Sequence, residues 1–141
     1  MRNLTVTTKR FITKSAARRQ LIDLTREVSE FVSEAGIREG MCTVSVPHAT
    51  AAVLANEHES GLMKDMLAKI EELFPSSGAY SHNAIDDNAD AHLAAAFLGH
   101  SRSFPICEGK LVRGTWQNIF LVELDGPRSR REVVLQAIGD S

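Results

Sequence analysis

Five histidines are spread along the chain, and His48, His82 and His92 stand where functional side chains concentrate. His48 follows the end of a strand-like run, His82 lies in the longest loop, and His92 falls in the first turns of a short helix. Three imidazoles are the usual protein share of a catalytic Zn²⁺ centre that keeps an open position. The chain has no compact HExxH or CxxC spacing, so only the fold can bring these three together. Taken singly, each is more often structural or simply exposed. Two carboxylates extend the pattern: Glu57 closes an Ala-rich run, and Asp90 stands two residues before His92. A carboxylate can orient an imidazole, ligate a metal, or act as general acid or base. Asp90 is balanced between such a role and complementing a helix dipole, whereas Asp86 and Asp87 read as solvated loop charges.

Gly114-Thr115-Trp116-Gln117 holds the single tryptophan, with polar groups on both sides of a large aromatic. That suits a pocket wall, and the competing reading is a core anchor entering a strand. Arg128, Arg130 and Arg131 follow the Asp125-Gly126-Pro127 turn. Guanidinium groups there can grip a phosphate, although an exposed charged edge that blocks sheet aggregation is the commoner outcome. No Walker loop, GxGxxG or GxSxG is present, and no Ser or Cys nucleophile is supported. Cys42 and Cys107 lie in separate apolar runs and read as small buried thiols.

These side chains must be held by a mixed fold. Residues 3–13 read as one or two strands, 18–35 as a helix ended by Gly36, and 41–46 as a strand stopped by Pro47. Residues 49–55 are small and apolar without alternation, which suggests a strand covered on both faces. A helix over about 60–74 stops at Pro75, a loop follows to 87, and Asn88 is placed to cap a short helix ended by Gly99. The last third reads as a β-meander: 101–107 and 110–113 around a Glu108-Gly109 turn, then 119–124 and 132–137. The class is α+β, mainly antiparallel, with two longer helices and one short helix packed on a β-sandwich-like sheet core.

The 141 residues suffice for one domain, 1–141, with its own core. A net charge of −2 gives no general attraction to nucleic acid or membrane. Arg2, Lys9, Arg10, Lys14, Arg18 and Arg19 precede the first acid, Asp23, but the alternation in Leu4-Thr5-Val6-Thr7 reads as a strand of the domain rather than a targeting segment, and cytoplasmic residence is the default expectation.

Several blocks together resemble the YjbQ-like proteins, also called the secondary thiamine-phosphate synthase family. They are Pro47-His48-Ala49-Thr50-Ala51-Ala52 with Asn56-Glu57, Tyr80-Ser81-His82, Asp87-Asn88-Ala89-Asp90-Ala91-His92-Leu93, Gly114-Thr115-Trp116-Gln117 and Asp125-Gly126-Pro127-Arg128. The chain departs locally, with Ala49 where Thr is common and with His100 and Phe104 in a segment that is often smaller or aliphatic. The resemblance implies a homotrimer with sites near subunit boundaries. It implies a metal-holding pocket of His48, His82 and His92, with Glu57, Asp90 and Gln117 as catalytic groups. Thr50, Thr115, Trp116 and Arg128 would bind a small, phosphorylated substrate. The implied activity joins hydroxymethylpyrimidine diphosphate to a thiazole phosphate and releases diphosphate. Three histidines favour a Zn²⁺-like ion, while diphosphate chemistry favours Mg²⁺. That mismatch keeps two other readings open: a metal-dependent hydrolase or lyase, and a non-catalytic trimeric protein that binds a metal or small ligand.

Overall fold

In the computed structural model, which describes residues 3–141, the chain runs β1 (Leu4–Thr13), β2 (Gln20–Asp23), α1 (Thr25–Ala35), β3 (Glu39–Ser45), β4 (Ala51–Asn56) and α2 (Ser60–Leu73). A 3-10 turn (Ser81–Ala84), α3 (Ala89–Leu98), β5 (Ser101–Cys107), β6 (Lys110–Leu111), β7 (Asn118–Glu123) and β8 (Arg131–Asp140) follow. All strand pairs are antiparallel. They form a five-stranded sheet of order β1-β8-β3-β5-β6 and a three-stranded sheet of order β2-β7-β4.

The apolar pattern of each strand explains this layering. β4 and β7 are apolar at nearly every position because both of their faces are covered. On one side, Val53, Ile119 and Leu121 join Val28, Phe31 and Val32 of α1 and Cys42, Val44 and Leu135 of the large sheet. On the other, Ala52, Phe120 and Val122 meet Ile70 of α2 and Ala91, Ala94 and Ala95 of α3. The α3 alanines let that helix lie close against β4, so residues on its opposite side reach the surface above the strand.

The expected helix over 18–35 begins only at Thr25. Asp23 accepts hydrogen bonds from the Thr25 backbone N–H (2.9 Å) and hydroxyl (2.6 Å), which turns the chain into α1 there. Gln20–Asp23 pair with β7 as an edge strand. The meander also differs. β5 and β6 form a hairpin whose turn residues Glu108 and Gly109 both have positive φ (52° and 78°), as a two-residue turn requires. β7 then crosses to the centre of the small sheet, and β8 returns between β1 and β3. Turn signals specify local hairpins but not such sheet changes. Cys42 is buried, and burial pushes its thiol up to about 11; Cys107 is exposed, contrary to the expectation for both. Among the described residues no helix is long and apolar enough to cross a membrane.

Candidate functional site

Two adjoining clefts open beside α3, and His92 lines both. The larger, about 390 Å³, lies between α3 and the 80–82 segment and is lined by Tyr80, Ser81, His82, Ala89, His92 and Leu93. The smaller, about 290 Å³, lies between α3 and the approach to β4, with His48, His92 and His100 over an alanine floor. The His82 and His92 rings meet edge to face at 4.9 Å. His92 makes no side-chain hydrogen bond among the described residues, so neither ring nitrogen is committed to a partner there.

The His48 and His82 imidazoles are committed. His48 Nε2 lies 2.8 Å from the Glu132 backbone N–H and 3.1 Å from the Glu132 carbonyl; the shorter contact requires a lone pair on Nε2, which places the ring proton of neutral His48 on Nδ1. Burial, reinforced by the Arg131 charge, holds the His48 pKa below its ordinary value against opposing effects of Glu132 and Glu123. His82 Nε2 donates to Asn88 Oδ1 (3.0 Å), leaving Nδ1 of the neutral ring as an acceptor. The Asn88 amide orientation follows from its other contact, in which Nδ2 donates to Asp125 Oδ2 (2.8 Å). The expected N-cap thus spends its side chain on the site instead of the helix.

Asp90 is fully buried and accepts from Arg18 (3.1 Å) and Arg19 (2.7 Å), which fastens α3 to the segment before β2. A carboxylate shared by two guanidinium groups and closed to solvent is a structural anchor, not an acid or base. Arg128 donates to the Asp125 carboxylate (2.8 Å) and backbone carbonyl (2.9 Å) and so buttresses the Asn88–His82 chain from outside. Arg131, expected on an exposed edge, is buried. It binds Glu123 through Nη2 (2.5 Å) and Nε (2.9 Å) and donates to Thr50 Oγ1 (3.0 Å). Ser15 also donates to Glu123 (2.6 Å). Burial pushes the Glu123 carboxyl up, but the Arg131 and Ser15 contacts prevail and its pKa is lowered. Thr50 therefore serves this buried pair rather than a cleft.

The remaining expected residues lie elsewhere. β4 pairs with β7 from Ala51↔Glu123 to Asn56↔Asn118, and Glu57, Thr115, Trp116 and Gln117 cluster at the Asn56 end. His48 and Thr50 are at the Ala51 end, separated from them by roughly 17 Å of strand. Trp116 is 71% exposed, so it is neither a core anchor nor a wall of the clefts in its own chain. Gln117 Oε1 closes its own turn by accepting from the Gly114 N–H (2.7 Å). Sequence reasoning missed His100, Asn88 as a bridge, and the Glu123–Arg131 pair. An acid and a base eight residues apart, at the end of one strand and the start of the next, are a faint signal for that pair.

An antiparallel sandwich carrying an imidazole-lined double cleft beside a short alanine-rich helix is the class that fold and site define. The family model for UPF0047 protein YjbQ-like matches residues 9–140, and the chain belongs to that family. A UPF0047 protein of Methanothermobacter thermautotrophicus is 46% identical over 118 residues, covering 84% of this chain and 82% of that protein. The UPF0047 protein YugU of Bacillus subtilis is 36% identical, covering 83% and 89%. A crystal structure from Sulfolobus solfataricus, described as a YbjQ-like protein of unknown function, has a TM-score of 0.96 at 52% identity. It covers 97% of this chain and 99% of its own.

These findings confirm the α+β fold and correct the functional expectation. The descriptions of these relatives name no thiamine-phosphate synthesis. Among the described residues no group of three His, Cys, Asp or Glu side chains is placed to hold a metal ion. The physical reason is visible at each residue: His48 Nε2 is spent on a backbone N–H, Asp90 on two arginines, and Glu57 lies at the far end of β4. The three-histidine metal pocket is overturned, and with it the synthase reaction and the metal-dependent hydrolase built on that pocket.

Proposed function

We propose that the larger cleft binds a small, partly apolar molecule carrying a hydrogen-bonding group, with His92 and His82 as proton donors or acceptors to it. The observation that carries this is the His92 ring: half-buried, without a hydrogen bond among the described residues, and shared by two clefts. The larger volume falls within the usual range of small-molecule sites, about 300–1,000 Å³. Ala89, Leu93 and the body of Tyr80 provide apolar contact, while the Tyr80 hydroxyl is already satisfied by the Pro75 carbonyl (2.7 Å). A fixed His82 tautomer with an open acceptor beside the His92 ring is suited to moving a proton on a bound molecule.

The assembly belongs to the same reading. The family blocks are split between the two ends of the small sheet, and the chain exposes large apolar groups. Trp116 protrudes at one end, while Ile85 (88% exposed) stands in the loop before α3 and Phe97 (77%) on α3 itself. Head-to-tail contact between such unlike surfaces closes into a ring, and a homotrimer is the ring we propose. In it the Trp116 loop of one copy covers the His92 cleft of the next.

Phenol, an apolar ring with one hydroxyl, is a suitable probe. Titrated against protein with ¹⁵N-labelled histidines, it should shift the ring signals of His82 and His92 saturably, and His92→Ala should abolish the His82 shift. Unmoved ring signals at saturating phenol would refute the cleft as a ligand site.

A further inference from the structure

We propose that the smaller groove, lined by His48, His92 and His100, is a subsite for a small oxyanion: a carboxylate or phosphate group on the molecule held in the larger cleft. This rests on reading that cleft as a ligand site. The lining consists of three imidazoles and the alanines Ala49, Ala51, Ala95 and Ala96, with no carboxylate among them. Its chemistry is that of a donor surface. Because the Glu132 N–H occupies His48 Nε2, the remaining polar atom of neutral His48 is Nδ1–H, which can only donate. A cation would need a lone pair there, whereas an oxyanion needs a proton.

His100 forms the opposite rim. Its backbone carbonyl is fixed by the Val46 N–H (2.9 Å), while its ring makes no hydrogen bond among the described residues. It is therefore held in place at the main chain and free at the side chain, as a ligand-contacting group must be. The adjacent end of α3 would ordinarily repel an anion through its free carbonyls. Arg102 removes that obstacle: its Nη2 donates to the Leu98 carbonyl and its Nε to the Val53 carbonyl (3.0 Å). Arg131 adds positive charge beneath His48, moderated by Glu123, and the nearer Glu132 carboxylate is drawn away by Arg10 (2.7 Å). The alanine floor leaves about 290 Å³, room for a phosphate with bridging waters when a water's share of liquid volume is about 30 Å³. His92 belongs to both clefts, so one molecule can span them with its anionic group in the histidine groove.

The test uses inorganic phosphate and acetate separately on the full chain, read by the histidine ring signals and by calorimetry. At least one anion should shift the His48 and His100 signals, and His100→Ala should weaken its binding roughly tenfold, the loss of one hydrogen bond to a charged group. His100→Lys, which keeps a donor at the rim, should retain binding, a result that a merely structural role for His100 does not predict. Gln136→Ala, on the far face of the large sheet, should change nothing. Preference for phosphate identifies a phosphorylated ligand, and preference for acetate a carboxylic acid. Silence of both ring signals, or equal affinity in His100→Ala, would overturn the subsite while leaving the phenol response of His82 intact. Anion binding with no phenol response would instead remove the larger cleft and the spanning ligand with it.

Discussion

At the scale of single residues, hydrogen bonds decide what each imidazole can do. Asn88 gives His82 its tautomer and links it to Asp125 and Arg128. Asn88→Ala should cost only about 0.5–1.5 kcal/mol, because water can take its place at the exposed His82 and the half-buried Asp125. It should also release the His82 ring nitrogens to mixed tautomers, which ring ¹⁵N shifts will report. The Glu123–Arg131 pair gives a sharper contrast. Glu123→Gln strands a buried guanidinium and should cost about 3–5 kcal/mol in urea unfolding, whereas Glu123→Leu with Arg131→Met should cost clearly less. Asp23 carries the acid response. Burial pushes its carboxyl up, but hydrogen bonds from Thr25, His58 and Asn118 hold it down at about 2, against an ordinary 3.8. A depressed carboxyl contributes stability that is complete above the ordinary value and lost as pH falls through the folded one. Asp23→Asn should therefore flatten the fall of the unfolding midpoint between about pH 4 and pH 2. The residue types and order of the histidines were legible in the sequence. Their partners were not, because a backbone N–H from β8 and an amide from the start of α3 leave no mark on local pattern.

At the scale of elements, the close approach of α3 to β4 sets the depth of both clefts. Ala91, Ala94 and Ala95 are buried against the small sheet, while His92, Ala96 and Phe97 turn outward. Ala94→Leu should cost at least about 1–3 kcal/mol through overpacking and should weaken phenol binding by lifting α3 from the sheet. Covered strands, both long helices and the Gly36 stop (φ 71°) were readable from apolar spacing. The start of α1 was not, since Leu21 and Ile22 continue a helix-like pattern while pairing as an edge strand. The order of β5 to β8 was equally hidden. Which sheet a strand joins depends on which core accepts its inner face, a property of the whole sandwich.

At the scale of the molecule, the pieces that define the family lie at opposite ends of one small sheet. The ring we propose unites them across a subunit boundary, so sedimentation should give a mass near three times 15.5 kDa. Trp116→Ala should reduce phenol affinity roughly tenfold or more despite its distance from His92 in one chain, because an exposed aromatic anchor at an interface is commonly a dominant contact. The sequence identified the family through these blocks, and the resemblance correctly carried the fold. The synthase chemistry did not follow, because fold and family leave the reaction to the arrangement of individual side chains. The most direct test of the His92-centred site is a crystal structure of the protein soaked with phenol and phosphate. The account predicts density for the phenol ring between Tyr80 and Leu93 with its hydroxyl in contact with His92 or His82. Phenol bound only at other surfaces, with both clefts beside α3 holding nothing but solvent, would contradict it.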